Sequence, residues 1–301
     1  MPDSPISATP YEVLGVSSRA TVDELRRAYR KRLRETHPDT GGDPKAFHAV
    51  QHAWERVGTP AGRAAYDAGT PEESHIAWEA RPAARQESRP QARSHGHPGG
   101  WRRERYLVLM REWVGRGVEL GDPYDPALVR SAPRDIRHLL ADALAEETTA
   151  RALSQLGIGF TVWHDVATGD PEDKIDHVVL GPSGLFALLS EDWGAPVRVR
   201  RGELVGEGID DERPMHSLAI RAKVLARAAR VKFTALVIVV PDRDFDEGVA
   251  VIGNARGAAH VVVQASRMSQ LLRDGVPGSV RPGGTEIFEV RTRLQAAIRF
   301  V

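Results

Sequence analysis

The stretch over residues 70–100 constrains the fold more than any other part of the chain. It reads TPEESHIAWEARPAARQESRPQARSHGHPGG and carries few large apolar side chains. Such a segment buries too little apolar surface to offset the entropy cost of ordering it, so we predict a flexible linker. We interpret His95 and His97 as solvated linker residues, with metal binding as the alternative. The sequence therefore predicts one domain over residues 1–69 and another over residues 101–301, the latter beginning with a helical extension.

Composition narrows the class of protein. The chain of 301 residues has 41 basic and 41 acidic residues, so no overall charge favours nucleic acid or a membrane surface. It has no cysteine, which excludes thiolate metal sites and suits a reducing compartment. Residues 1–10 lack the pattern of a signal peptide, and the longest apolar run, 233–240, is too short to span a bilayer. We expect a soluble cytoplasmic protein with no membrane partner and no cofactor.

The N-terminal segment, residues 10–69, has the pattern of an all-α domain. Thr21 and Glu24 have the spacing of a capping box at the start of a helix. In that helix one face is apolar, and basic residues crowd the other. The basic residues are Arg26, Arg27, Arg30, Lys31 and Arg34. Pro44 suits the first position of a second helix, so we predict an antiparallel helix pair with an exposed turn.

The same segment resembles the J-domain family along its whole length. The matching pieces are PYEVLGV at 10–16, the helix motif at 24–30, the tripeptide His37, Pro38 and Asp39 (HPD), and Arg63 with Tyr66 and Asp67. The resemblance implies a co-chaperone domain that performs no chemistry itself. It also implies that the tripeptide contacts the ATPase domain of a DnaK-type chaperone and promotes ATP hydrolysis.

The physical properties of these residues suit that role. Pro38 fixes its own φ and biases His37 toward an extended conformation, so the turn presents its side chains rigidly. Arg26, Arg27 and Arg30 offer positive charge to an acidic partner. The alternative interpretation of the three arginines is a solvated helix face.

The C-terminal region predicts a mixed α/β sheet. After Gly157, short β-rich runs alternate with turns, and a helical stretch over 215–229 separates them from the buried-strand pattern at 233–241. This region resembles the NERD, or nuclease-related, family, a relative of the PD-(D/E)xK nucleases. The matching pieces are a glutamate-bearing helix with Glu146, the segment IDHVVLGPSGLF at 175–186, and Trp193 with Gly194.

The resemblance places Glu146 and Asp176 as candidate metal ligands of a nuclease site. Such a site needs a third acidic residue and a lysine, but the matching positions hold Leu189 and Glu191. An aliphatic side chain cannot bind a hard cation, so we predict a degenerate, inactive nuclease fold with no metal. Lys174 and Lys223 are both candidates for a migrated lysine.

Other interpretations of these acidic residues stay open. Asp176 could instead cap a turn or pair with a neighbouring cation. Glu191 and Asp192 are interpreted as a solvated strand end, with a re-registered metal site as the alternative. Arg198, Arg200 and Arg201 lie on a predicted hairpin, where they are a solvated edge or a contact to phosphate.

The sequence thus predicts a J-domain co-chaperone whose second domain targets it or binds a client, either nucleic acid or protein. The alternatives are a metal-dependent nuclease that carries a J-domain and an adaptor that holds nucleic acid without cutting it.

Overall fold

A computed structural model describes residues 4–38, 42–68, 91–115, 117–209, 213–255 and 257–301. The chain divides into two compact units. Unit 1 comprises residues 1–79 and 110–137, and unit 2 comprises residues 80–109 and 138–301. The predicted fold class is confirmed: an all-α region precedes a mixed α/β sheet domain.

Unit 1 is helical in its described part. Its N-terminal helices are α1 (Pro10–Leu14), α2 (Val22–Glu35), α3 (Pro44–Val57) and α4 (Pro60–Ala68). The predicted capping box is present at the start of α2. There the Thr21 hydroxyl accepts from the backbone N–H of Glu24, and the Glu24 carboxylate accepts from that of Thr21. Both exchanges satisfy N–H groups that a helix start otherwise leaves unpaired.

The core of these helices forms from the apolar positions that the sequence pattern indicates. Leu25 of α2 and Val50 of α3 are buried beside Tyr11 and Leu14 of α1. Around this core, Tyr29 and Trp54 stack with ring centroids 4.6 Å apart. The apolar face of α2 is thereby covered, which leaves its basic face toward solvent.

Residues 110–137 belong to unit 1, which differs from the boundary that the sequence predicted at residue 101. This segment holds the end of α5 (Gly100–Val114), the short helix α6 (Pro126–Ser131) and the start of α7 (Arg134–Ser154). The Arg130 guanidinium lies 4.9 Å from the Tyr66 ring centroid and donates to the Tyr66 carbonyl oxygen. Arg137 pairs with Glu12 of α1. No sequence motif marks these arginines as partners of the N-terminal helices.

Unit 2 is built on a seven-stranded sheet with the strand order β1-β2-β3-β4-β7-β9-β8. Antiparallel pairing joins β2 to β3, β3 to β4 and β9 to β8, and the other pairs are parallel. The strands are β1 (Arg93–His95), β2 (Thr161–Val166), β3 (Ile175–Gly181), β4 (Gly184–Ser190), β7 (Ala235–Val240), β8 (Val249–Ala255) and β9 (Ala258–Gln264). A separate hairpin pairs β5 (Val197–Arg200) with β6 (Glu203–Gly206).

Helices cover both faces of this sheet. One face packs against α8 (Pro214–Ala229) and α10 (Gly284–Ala297), and the other packs against α7 and α9 (Ala265–Asp274). Alternate residues of β7 enter the two cores, Leu236 one and Val237 the other, as strand geometry requires. This double cover explains why β7 reads as a continuous apolar run.

Steric constraints explain why the segment at 175–186 has glycine at position 184. Gly184 has φ of +139°, and a Cβ there would lie 2.1 Å from Thr234 Oγ1. Only glycine fits this conformation and this close approach. The tight turn therefore lets β3 and β4 pair as antiparallel neighbours, with Gly181 opposite Gly184, and this register fixes the place of Asp176 on β3.

The linker predicted over residues 70–100 is wrong at its C-terminal end. Residues 69–90 lie outside the described part of the chain, but Arg93–His95 form strand β1, which pairs in parallel with β2. The His95 ring lies 6.0 Å from that of Trp163. Main-chain hydrogen bonds to a sheet edge need no apolar side chains, so composition gave no signal of this strand.

Strand β8 lies at the sheet edge with most of its side chains exposed. It was not predicted, because its apolar run at 249–252 is short and is followed at once by Gly253 and Asn254. Within the described residues, no helix has both the length and the apolar composition to cross a membrane.

Candidate functional sites

The first candidate site is the turn between α2 and α3. Pro38 is exposed and His37 is half-buried, with its ring against that of Phe47 at a centroid distance of 5.1 Å. Asp39, the third predicted residue of this site, lies outside the described residues. The imidazole of His37 is thus positioned by α3 and remains accessible at the end of the helix pair.

The basic face of α2 is available to a partner. Arg26, Arg27 and Arg30 are all exposed, and among the described residues none of the three forms an ion pair. Arg27 donates to the Asp23 carbonyl oxygen of its own helix. Within the described chain, no carboxylate therefore holds any of these three guanidinium groups in an ion pair.

The second candidate site is a buried group of charges in unit 2, which we call the carboxylate cluster. Its acidic members come from α7, β2, β3 and the end of β4, and two basic side chains lie among them. The members are Asp142, Glu146, Asp165, Asp176, Glu191, Lys174 and Arg102. The structure thus brings Glu146 and Asp176 together, as the resemblance implies.

Lys174 occupies the centre of one half of the cluster. Its Nζ lies 2.7 Å from Glu146 Oε2, Asp165 Oδ1 and Asp176 Oδ1. The ammonium donates hydrogen bonds to Glu146 and Asp176, and its contact with Asp165 is an ion pair. Lys174 precedes Asp176 by two residues at the start of β3, so both side chains lie on one face of the sheet. Lys223, the other candidate, is exposed on α8.

Arg102 links the two halves. Its guanidinium donates to Glu146 Oε1 at 2.8 Å, Asp142 Oδ2 at 2.5 Å and Glu191 Oε1 at 3.0 Å. Glu191 holds the position where the family pattern has a lysine, and Leu189, the position of the missing acid, is buried in the core. A guanidinium from α5 therefore supplies positive charge beside the position where the family pattern has its lysine.

The expectation that Glu191 and Asp192 form a solvated strand end is wrong. Both are buried, Glu191 beside Arg102 and Asp192 in an ion pair with Arg243 at 2.9 Å. Asp176 pairs with a neighbouring cation, Lys174, which is one of the two structural roles considered for it from the sequence. Its second oxygen accepts the backbone N–H of Ser190 at 2.7 Å.

Burial and charge set the protonation of the cluster. Burial opposes ionisation of Asp176, but Lys174 and Arg102 outweigh it and lower the pKa of Asp176 to about 2. Burial, with the Asp176 charge added, raises the pKa of Glu146 well above its usual value. Burial and the charge of Asp142 raise the pKa of Glu191 to about 8. Some carboxyl groups of the cluster are thus neutral because they are protonated, and the others are balanced by the two cations inside the cluster.

Asp165 was missed by sequence reasoning. Its backbone lies in the left-handed region, with φ of +51°, inside a strand. Such a conformation is uncommon outside glycine and costs about 1 kcal/mol or more. This conformation places the Asp165 carboxylate beside Lys174, where the ion pair offsets the cost. Nothing in the local sequence indicates this contact.

Next to the cluster lies a chain of hydrogen bonds between imidazoles. His164 Nδ1 and His177 Nδ1 are 2.7 Å apart, and His164 Nε2 lies 2.8 Å from Ser94 Oγ. Burial lowers the pKa of His164 to about 4 and lowers that of His177 as well. Both rings are therefore neutral in the folded protein near pH 7.

The residues present do not fit the metal site of a PD-(D/E)xK nuclease. The space between Glu146 and Asp176, where such an ion would bind, holds the Lys174 ammonium. Leu189 offers no ligand, and Arg102 takes the second oxygen of Glu146. A divalent cation would have to displace a paired lysine from three carboxylates.

Comparison with known proteins identifies both domains. A DnaJ domain matches residues 9–67, and a nuclease-related domain (NERD) matches residues 141–240. The N-terminal segment is 49% identical over 57 residues to DnaJ protein homolog 2 of Allium porrum and to Chaperone protein dnaJ A6 of Oryza sativa subsp. japonica. It is 45% identical over 60 residues to Chaperone protein DnaJ of Dictyoglomus thermophilum.

These matches cover 19% of this chain and only 14–15% of each relative's length. They therefore concern the J-domain and not the remainder of either protein. No solved structure gives a significant match to the chain.

Proposed function

We propose that this chain is a J-domain co-chaperone that recruits a DnaK-type chaperone and stimulates its ATPase. The observation that carries the proposal is the helix pair α2–α3: His37 and Pro38 follow α2, and Arg26, Arg27 and Arg30 on its exposed face form no ion pair among the described residues. Charges that remain unpaired at a surface steer and orient an acidic partner. The relatives that match this segment bear chaperone names, which supports the same role.

The proposal assigns His37, Pro38 and Asp39 to contact with the chaperone ATPase domain, and Arg26, Arg27 and Arg30 to electrostatic orientation. It includes a cytoplasmic location, supported by the cysteine-free composition, which suits a reducing compartment.

For the nuclease-related domain, we propose targeting or client binding without cleavage. The support is the carboxylate cluster, in which Lys174 and Arg102 neutralise the side chains that would bind a catalytic metal. A buried cation paired with several carboxylates is costly to remove, because the carboxylates then lose their counter-charge. The client is nucleic acid or protein.

The test of recruitment is steady-state ATP hydrolysis by a DnaK-type chaperone, with the full chain as stimulant. We expect stimulation by the native chain and none by His37→Gln. His52→Gln is the matched control, because His52 is exposed on α3 away from the turn. Equal stimulation by the native chain and His37→Gln would refute the assignment.

A metal-dependent nuclease is the second candidate function. The observation that favours it is Lys174 itself, which stands among three carboxylates and could be a migrated catalytic lysine. The test is cleavage of supercoiled plasmid by the full chain in Mg²⁺ or Mn²⁺. Cleavage that Asp176→Asn abolishes would establish the nuclease, and its absence at equimolar protein supports the non-cutting role.

A further inference from the structure

Two acidic members of the carboxylate cluster, Asp142 and Glu191, converge with the neighbouring His138 on one point. The potential ligand atoms of His138, Asp142 and Glu191 all lie within 4.8 Å of one another. His138 Nε2 is 3.3 Å from Asp142 Oδ1 and 4.0 Å from Glu191 Oε2. We propose that these three residues bind a divalent transition-metal ion of the zinc type.

The distances suit such an ion. Zinc binds nitrogen and oxygen ligands at about 2.0–2.2 Å, so ligand atoms of a tetrahedral site lie about 3.3–3.5 Å apart. The pair His138–Asp142 already has this separation, and Glu191 is close to it. His138 and Asp142 are four residues apart on α7, which puts their side chains on one face of the helix. Only small side-chain rotations are needed to close the site.

Arg102 leaves the required oxygens available. It donates to Asp142 Oδ2 and Glu191 Oε1, whereas the atoms that face His138 are Asp142 Oδ1 and Glu191 Oε2. Asp142 Oδ1 receives in addition the backbone N–H of Asp192 at 3.3 Å. Hydrogen bonds to the far oxygens of ligating carboxylates orient them and are a usual part of metal sites. Arg102 therefore holds the ligands in place rather than competing for them.

His138 Nε2 is suited to the role of third ligand. The atom is buried, and no described residue gives it a hydrogen bond of good geometry. The side chain as a whole is 25% exposed, which provides a path for an ion from solvent. A nitrogen directed at two carboxylates from a partly open position can exchange its proton for a metal ion.

This site is separate from the pair Glu146 and Asp176, where Lys174 takes the central position. Asp142 precedes Glu146 by one turn of α7, and Glu191 follows Leu189 by two residues along the strand direction. Each step is about 6 Å, so the ligands lie together one turn away from the position that the nuclease pattern would use.

One imidazole and two carboxylates favour zinc over magnesium or calcium. Imidazole suits zinc and its neighbours, whereas the hard cations prefer ligand sets made only of oxygen. Three protein ligands leave one coordination position for water. The sequence had led us to expect no metal, because His138 and Asp142 lie in a helix outside the family's motif.

The test is isothermal titration of the chelator-treated full chain with ZnCl₂. We expect one site, weakened at least tenfold in His138→Gln and in Glu191→Gln. His216→Gln is the matched control, an exposed histidine on another helix of unit 2, and should bind as the native chain does. Thermal melts of each variant without zinc verify that it folds.

Two results would overturn the proposal. One is the absence of zinc binding by the native chain, which would mean that the three residues form an ion pair only. The other is unchanged affinity in both variants. MgCl₂ titration adds a second readout, and a preference for magnesium would contradict the ligand argument. Chaperone stimulation and plasmid cleavage are separate assays, so failure here is distinguishable from failure of the proposed function.

Discussion

The two candidate sites use similar residues in opposite ways. On α2, Arg26, Arg27 and Arg30 are exposed and form no ion pair among the described residues, and Pro38 beyond the helix is exposed as well. In the carboxylate cluster of unit 2, Arg102 is half-buried and Lys174 is buried, and each pairs with three carboxylates. A charge that faces solvent can be offered to a partner, whereas a charge already paired inside the fold serves stability. The comparison teaches that residue identity alone does not assign function, because accessibility and pairing decide it.

The largest effect is expected from removing the buried charge of Lys174 in the carboxylate cluster. Lys174→Met leaves Glu146, Asp165 and Asp176 without their shared counter-charge, and we expect a loss of about 3–5 kcal/mol of stability in unit 2. Amide hydrogen exchange of β2, β3 and β4 measures it. Lys223→Met, at an exposed position on α8, is the matched control and should change little. A loss below about 1 kcal/mol would show that Lys174 does not hold the cluster together.

The second prediction concerns the exposed arginines of α2, whose charge can be reversed. For the double change Arg26→Glu and Arg27→Glu, the concentration giving half-maximal ATPase stimulation should rise about tenfold, and less at high salt. The matched change in unit 2 is Arg198→Glu with Arg200→Glu, on the exposed strand β5. It should leave stimulation unchanged. Equal effects of the two pairs would mean that net charge, not the α2 face, directs the encounter.

Acid should weaken unit 2 through its buried histidines. The pKa of His164 is lowered to about 4 by burial, whereas an unfolded histidine titrates near its ordinary value of 6.5. Between these values the unfolded chain binds more protons at this residue, so the contribution of His164 to stability is complete above about pH 6.5 and falls toward pH 4, by about 1 kcal/mol per pH unit. Glu146 and Glu191, whose pKa values are raised, contribute with the opposite sign in the same range. Scanning calorimetry of the native chain and of His164→Gln at pH 7 and pH 5 isolates the histidine contribution, and the same pH dependence in both would contradict the neutral, buried pair.

The smallest effect concerns the helix that displays the arginines. Thr21→Ala removes the hydroxyl half of the capping box and should cost unit 1 about 1 kcal/mol. Thr292→Ala, at an exposed position inside α10, should be neutral or slightly stabilising, because alanine is the better helix former. Urea unfolding followed by circular dichroism compares the two. A larger loss from Thr292→Ala would refute the capping argument.

The helices of unit 1 could be predicted from the sequence more fully than the charged cluster of unit 2. Capping residues, apolar spacing and the HPD motif are local, so α1 to α4 follow from short-range patterns. The strands at 175–181 and 235–240 were predicted for the same reason. The resemblance also assigned Glu146 and Asp176 to one site. Lys174 was a candidate for the migrated lysine, although the sequence could not distinguish it from Lys223.

The rest of the cluster depends on contacts between distant parts of the chain. Arg102 follows a segment assigned to the linker, and nothing in its neighbourhood indicates that it reaches α7 and β4. Asp165 enters through a left-handed backbone conformation that no motif signals. Strand β1 is held by main-chain hydrogen bonds to β2. Such features become visible only once the sheet is assembled.

The central claim is that chaperone recruitment resides in the HPD turn and does not depend on the carboxylate cluster. The most direct test is chaperone ATPase stimulation by the native chain, His37→Gln and Asp176→Asn, titrated side by side over the same concentrations. The account predicts equal curves for the native chain and Asp176→Asn, with the activity of His37→Gln at the basal level. Retained stimulation in His37→Gln, or its loss in a folded Asp176→Asn, would contradict the claim.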